Sequence, residues 1–219
     1  MYRYETPIVK HRSAAYGKNY WVFSSRKVQR RVGVFSNLEY ENILTLEMNP
    51  EVEWYCEYPV KPTVFLGGKE FNPMLSTWVK YRNGSELYQG VAYKNDTEED
   101  AAHNFVSSSA AWCIQNGQKF EFRNENNIKK GPFYIRNLSV LASRAQRFRV
   151  QSVNADQMLI GYLKGIKRTT VSDLENSGHF ETGKTLDYLA DLYYRGIIDF
   201  VNISSECISG KMEVICDGK

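Results

Sequence analysis

Few residues in this chain have the type and spacing to do chemistry. Glu39 lies in the segment SNLEYENILTLEMNP, and Lys94 closes the segment ELYQGVAYK. A carboxylate on a hard cation and a lysine that orients or activates an attacking water are the parts that metal-dependent phosphodiester cleavage uses. Such a centre needs further carboxylates, and two are missing from the places where they are expected. Met74 follows Pro73 ahead of the turn at Asn83-Gly84, and Ala92 stands two positions before Lys94. Glu57, Glu70 and Glu86 are the substitutes, although nothing in their spacing makes them converge. Zinc chemistry is not indicated. The four cysteines, Cys56, Cys113, Cys207 and Cys216, contain no C-x-x-C pair and the three histidines, His11, His103 and His179, are scattered. Any metal would therefore sit on oxygen ligands.

The elements that must position these residues are legible in part. Ser36 followed three residues later by Glu39 is a capping-box spacing, and Leu38, Ile43, Leu44 and Leu46 give a helix its apolar face before Asn49-Pro50 stops it. Glu39 thus has two candidate roles, as a helix cap and as a metal ligand. Apolar runs at 52–55 and 60–65 read as strands broken by Pro59 and Pro62, with Gly67-Gly68 as a turn. Residues 74–81 and 86–93 flank Asn83-Gly84 as a hairpin. DTEEDAAHNFVSSSAAWCIQNG reads as a helix with acids in its first turn and Asn116-Gly117 past its end, and KFEFR as one more strand. A helix, several strands, a helix and a strand predict an α/β mixed sheet flanked by helices. From residue 151 the pattern changes to three short helices, QMLIGYLKG, TVSDLENSG and GKTLDYLADLYYRG, then a ribbon at 197–203 and 211–215. Three helices and a ribbon predict a small winged-helix domain, or a lid or partner-docking module, since the third helix carries few bases.

The formal charge is only +3, but it is unevenly placed. Residues 1–35 hold eight bases to one acid, a charge of +7, and the rest of the chain holds 20 bases to 24 acids, a charge of −4. A second basic band runs from Lys119 to Arg149. The asymmetry points to an anionic partner, with Arg26, Lys27, Arg30, Arg31, Lys129 and Lys130 as candidate DNA contacts, or else to a solvated arm. No run reaches the roughly 18 apolar residues of a membrane span, and no leader pattern opens the chain, which predicts a cytoplasmic protein with no membrane contact.

SSRKVQRR, SNLEYENILTLEMNPEVEWYCEYP, the Pro73 strand, NGQKFEFRNENNI and YIRNLSVLASRAQRF, in that order from residue 24 to about 150, resemble the TnsA family of transposon endonuclease subunits. The resemblance implies a restriction-endonuclease-like core over 26–150 and a winged-helix-like region over 151–219, while residues 1–25, polar, aromatic-rich and without clear period, read as an extended basic arm. It implies magnesium as cofactor, transposon-end DNA as substrate, and a DDE transposase subunit and an AAA+ ATPase regulator as partners. By position, the family's helix glutamate and metal ligand matches Glu39, and its Pro-Asp aspartate falls at Met74. Its acid-or-Gln-x-Lys triplet falls on Ala92-Tyr93-Lys94 or on Gln89-Gly90-Val91. Three functions stand open: a DNA- and partner-binding subunit with an inactive centre, an active magnesium-dependent enzyme nicking 5′ transposon ends, and a protein-interaction module that does not bind DNA.

Overall fold

Asn83 and Gly84 build the hairpin on which the first sheet depends. Gly84 takes φ +82, a left-handed conformation that glycine adopts without strain. The Asn83 side chain accepts from the Ser85 N–H at 2.9 Å, and the Tyr81 and Ser85 backbones close the turn. The computed structural model describes residues 2–8, 19–94, 100–148, 153–181 and 183–216. The chain divides into two compact units, Met1–Leu46 with Glu51–Ile128, and Glu47–Pro50 with Lys129–Lys219.

In the first unit, a two-stranded ribbon, β1 (Trp21–Ser24) and β2 (Arg31–Val34), precedes α1 (Asn37–Glu47) and β3 (Val52–Glu57). A small hairpin, β4 (Val64–Leu66) and β5 (Lys69–Phe71), leads to β6 (Thr77–Tyr81) and β7 (Glu86–Val91). Helix α2 (Asp100–Gln115), β8 (Phe120–Arg123) and the single turn α3 (Glu125–Ile128) complete the unit. The main sheet has the order β3-β6-β7-β8, with β3, β6 and β7 antiparallel and β8 parallel to β7. A parallel neighbour requires a crossover, and α2 supplies it. Its end follows from Gly117 at φ +64, where the Gln118 N–H reaches back to the Cys113 carbonyl at 2.7 Å. The acids Asp96, Glu98 and Glu99, expected in the first turn of this helix, lie outside the described residues, and Asp100 opens the helix.

Alternate residues of the strands face opposite layers. Tyr55 and Val79 join Ile43 and Leu46 of α1 in one buried cluster, whereas Cys56, Trp78 and Tyr88 join Cys113 of α2 in another. The sheet is therefore mixed and flanked by helices, an α/β arrangement. The start of the chain lies on the same unit: Tyr2 stacks on Trp54 at 4.1 Å and the Tyr4 hydroxyl meets that of Tyr88 at 2.8 Å.

The second unit contains α4 (Tyr134–Arg147), α5 (Val153–Ile166), β9 (Arg168–Thr170), α6 (Val171–Asn176), α7 (Thr185–Tyr194), β10 (Asp199–Phe200) and β11 (Glu213–Ile215). Its three short strands form one antiparallel sheet in the order β10-β11-β9. The ribbon expected from the sequence thus has a third strand, only three residues long and too short for an alternation to stand out. Thr170 caps α6, its hydroxyl oxygen accepting from the Asp173 N–H at 3.1 Å. Helix α4 buries Tyr134, Leu138, Leu141, Ala142 and Ala145 along one face and pairs with α7 through Arg144 and Asp187 at 2.8 Å. The contact division consequently falls after Ile128, while the change of composition falls near residue 151. No described helix is long and apolar enough to cross a membrane.

Helices α5 and α7 are tied by Arg195, which donates to both Asp156 oxygens at 2.9 and 2.8 Å. These hydrogen bonds and the guanidinium charge hold the Asp156 carboxyl below its ordinary value, against the penalty of partial burial. A carboxyl depressed on folding contributes stability above its unfolded pKa and loses it as pH falls through the folded one. Asp156→Asn is expected to cost about 1.5–3 kcal/mol at neutral pH. In urea titrations that deficit should shrink as pH falls below the ordinary aspartate value of about 3.9; a deficit constant down to pH ~2 would show that the carboxylate charge is not what holds the helices.

Candidate functional site

Helix α1 turns Asn42 toward the sheet, and alternation along β7 and β8 brings Gln89, Glu121 and Arg123 to meet it. Leu87 and Gln89 leave β7 on the α1 side, whereas Tyr88 leaves on the α2 side. On β8, Glu121 and Arg123 are two residues apart and share a face. The four side chains form a closed ring of hydrogen bonds. Asn42 Nδ2 donates to Gln89 Oε1 at 2.8 Å, and Gln89 Nε2 donates to Glu121 Oε2 at 2.9 Å. Arg123 Nη1 donates to Glu121 Oε1 at 3.2 Å, and Arg123 Nε donates to Asn42 Oδ1 at 3.1 Å. Asn42 and Gln89 are almost wholly buried, at 0% and 1% exposure. An unpartnered amide there would cost about 1–3 kcal/mol, so closure of the ring is what makes their burial tolerable.

Glu39, one turn earlier on α1, looks elsewhere. Its Oε2 accepts from the Phe35 N–H at 3.2 Å, from the Ser36 hydroxyl at 3.2 Å and from the Tyr58 hydroxyl at 2.8 Å. Ser36 Oγ in turn accepts from the Glu39 N–H at 3.1 Å, a reciprocal cap of the helix start. Tyr58 holds φ +45, a left-handed conformation that costs a bulky residue energy, and is pinned by Ser76 and Glu39. Burial first, and then the Glu39 carboxylate, push its hydroxyl far above the ordinary tyrosine value.

The other residues singled out from the sequence are dispersed. Met74 packs against the apolar cluster on the α1 side. Ala92 and the exposed Lys94 follow β7, and the Lys94 backbone N–H donates to Glu125 Oε2 at 2.8 Å. Gln89 alone of the expected triplets lies in the ring. Of the substitute acids, Glu57 is paired with Arg30, Glu70 accepts from Asn72 at 3.0 Å, and Glu86 lies 3.5 Å from Arg3. Asn42, Glu121 and Arg123 escaped the sequence reading, although KFEFR already places Glu121 and Arg123 on one face and Asn42 lies one helical turn from Glu39.

The basic residues differ in how much charge they can offer a partner. Arg30 donates to both oxygens of the buried Glu57, at 2.6 and 2.7 Å, and Lys27 donates to the Val52 carbonyl at 2.7 Å. Burial lowers the Arg30 pKa, but the Glu57 hydrogen bonds and charge outweigh it and leave the value raised. Arg26 is half-buried and Arg31 is exposed at the start of β2. In the second unit, Lys129 and Lys130 are exposed, with Lys130 5.3 Å above the Tyr134 ring.

Magnesium does not fit these groups. Among the described residues no three His, Cys, Asp or Glu side chains gather for an ion. The ring offers two amides and a single carboxylate, and a guanidinium already neutralises that carboxylate. A hard cation held by so few anionic oxygens would bind weakly. Neither the protein-family models nor the curated proteins contain a match to this chain.

Proposed function

We propose that this chain is a TnsA-like subunit that binds transposon-end DNA, a DDE transposase subunit and an AAA+ ATPase without itself cutting DNA. The observation that carries the reading is the order of the first unit. One helix, three antiparallel strands, a crossing helix and a parallel fourth strand support a restriction-endonuclease-like core, and its polar centre is filled by the Asn42 ring. In the second unit, α5-β9-α6-α7-β10-β11 with the sheet order β10-β11-β9 supports a winged-helix-like domain. Exposed Arg31, Lys129 and Lys130 are the proposed phosphate contacts.

The test is fluorescence anisotropy of a labelled duplex at several salt concentrations. Log affinity should fall linearly with log salt, and each phosphate contact removed by Arg31→Ala, Lys129→Ala or Lys130→Ala should reduce the slope by about 1. Affinity indifferent to all three substitutions removes the DNA reading. One observation favours a second function, a protein-interaction module on the same scaffold: Arg30 and Lys27 spend their donors inside the unit. That module predicts no salt-dependent DNA binding.

A further inference from the structure

We propose that Arg123 is the resident cation of the centre between α1, β7 and β8, so that its guanidinium holds the place a divalent metal would need and keeps the centre closed to metal. This rests on the nuclease-like reading of the first unit, and goes beyond it by naming the residue that closes the site.

The geometry gives Arg123 the tasks a metal ion performs in such a crossing. It neutralises Glu121 through Nη1 at 3.2 Å, and it fixes Asn42 through Nε at 3.1 Å. Asn42 and Glu121 then orient Gln89 from both ends of its amide. The ring joins the helix α1 to two neighbouring strands of the sheet, β7 and the parallel β8. A metal ion would have to compete with a tethered cation for the same oxygens. Asn42 Oδ1 and Glu121 Oε1 are engaged by Arg123, Glu121 Oε2 by Gln89 Nε2, and Gln89 Oε1 by Asn42. The guanidinium is not displaced by deprotonation, because arginine stays charged at neutral pH. Closure also explains how Met74 stands where a carboxylate is expected: with no ion to bind, an apolar contact with the α1-side cluster carries no penalty. Arg123 is thus a positioning residue.

Removing the guanidinium and restoring a second carboxylate should open the site. Gln89→Glu with Arg123→Met leaves two adjacent carboxylates and the Asn42 carbonyl oxygen as a ligand set, for which a Kd of about 0.1–1 mM is reasonable. Mn²⁺ is the probe, read by electron paramagnetic resonance of the free ion and by the shift in Tm. The wild type and the Gln89→Glu single variant are expected to leave millimolar Mn²⁺ free, and their Tm should be the same in chelator and in metal. The double variant is expected to take up one equivalent and to gain Tm with Mn²⁺; adding Asn42→Leu should weaken that uptake.

Uptake at this centre by the wild type overturns the proposal, and so does a double variant that folds by circular dichroism and binds no Mn²⁺. Should the double variant not fold, the wild type still decides. The Arg123 Nε–H and the Asn42 and Gln89 amide signals in nitrogen-15 spectra are expected to stay sharp in Mn²⁺, and paramagnetic broadening of these signals refutes closure. The duplex titration of the wild type reads the DNA-binding function separately. A closed ring in a chain that ignores DNA keeps this inference and discards that function, and a DNA-binding chain that takes up Mn²⁺ does the reverse.

Discussion

Arg30→Ala is expected to cost about 3–5 kcal/mol of stability, because it strands a buried carboxylate. Glu57 is only 2% exposed, and the guanidinium gives it two charge-assisted bonds, at 2.6 and 2.7 Å. The Gly33 N–H, at 3.5 Å, is too distant to replace them. Urea unfolding of the variant should show the midpoint falling with little change in slope. Replacing both partners by apolar residues of similar size should recover most of the loss, since an isostere carries no desolvation penalty. A deficit below about 1 kcal/mol would mean that Glu57 behaves as a solvated surface pair. The result also bears on nucleic-acid assays. Charge removal at Arg30 is expected to destabilise the unit, so it confounds a probe of phosphate contacts, whereas removal at the exposed Arg31 does not.

The second large effect is expected at Asn137. Its Nδ2 donates to the Ile203 carbonyl at 2.7 Å and the Glu206 carbonyl at 2.6 Å, and its Oδ1 accepts from the Ile208 N–H at 3.1 Å. The side chain is 2% exposed, so Asn137 ties the buried face of α4 to the segment between β10 and β11, beside the Phe133 N–H that donates to the Ser204 carbonyl at 3.2 Å. Asn137→Ala leaves two carbonyls and an N–H without these partners and is expected to cost about 2–4 kcal/mol, allowing for partial hydration. Hydrogen exchange at the Ile208 amide should accelerate more than at β11 amides. Equal acceleration across the unit would show a global loss with no anchoring role.

These two residues mark what the sequence does and does not disclose. Local signals are readable, as at Ser36 with Glu39, Asn83-Gly84, Asn116-Gly117 and Thr170, because caps and turns are set by neighbours in the chain. The mixed sheet was readable in outline, since a helix between two apolar strands implies a crossover. The candidate site was not. Asn42, Gln89, Glu121 and Arg123 are separated by up to 81 positions, and only strand register and helix phase bring them together. Glu39 and Asn42 are one turn apart, and spacing alone does not say which faces β7. Arg30 has the composition of a nucleic-acid contact, and only the fold shows that its charge is spent on Glu57.

Supercoiled plasmid incubated with the wild-type chain in millimolar Mg²⁺ or Mn²⁺, under conditions where anisotropy shows the DNA bound, gives the most direct answer. A filled ring predicts bound plasmid that stays supercoiled, with or without metal. Metal-dependent nicking that disappears with Asn42→Leu or Gln89→Leu would contradict it and return the centre to the enzymes.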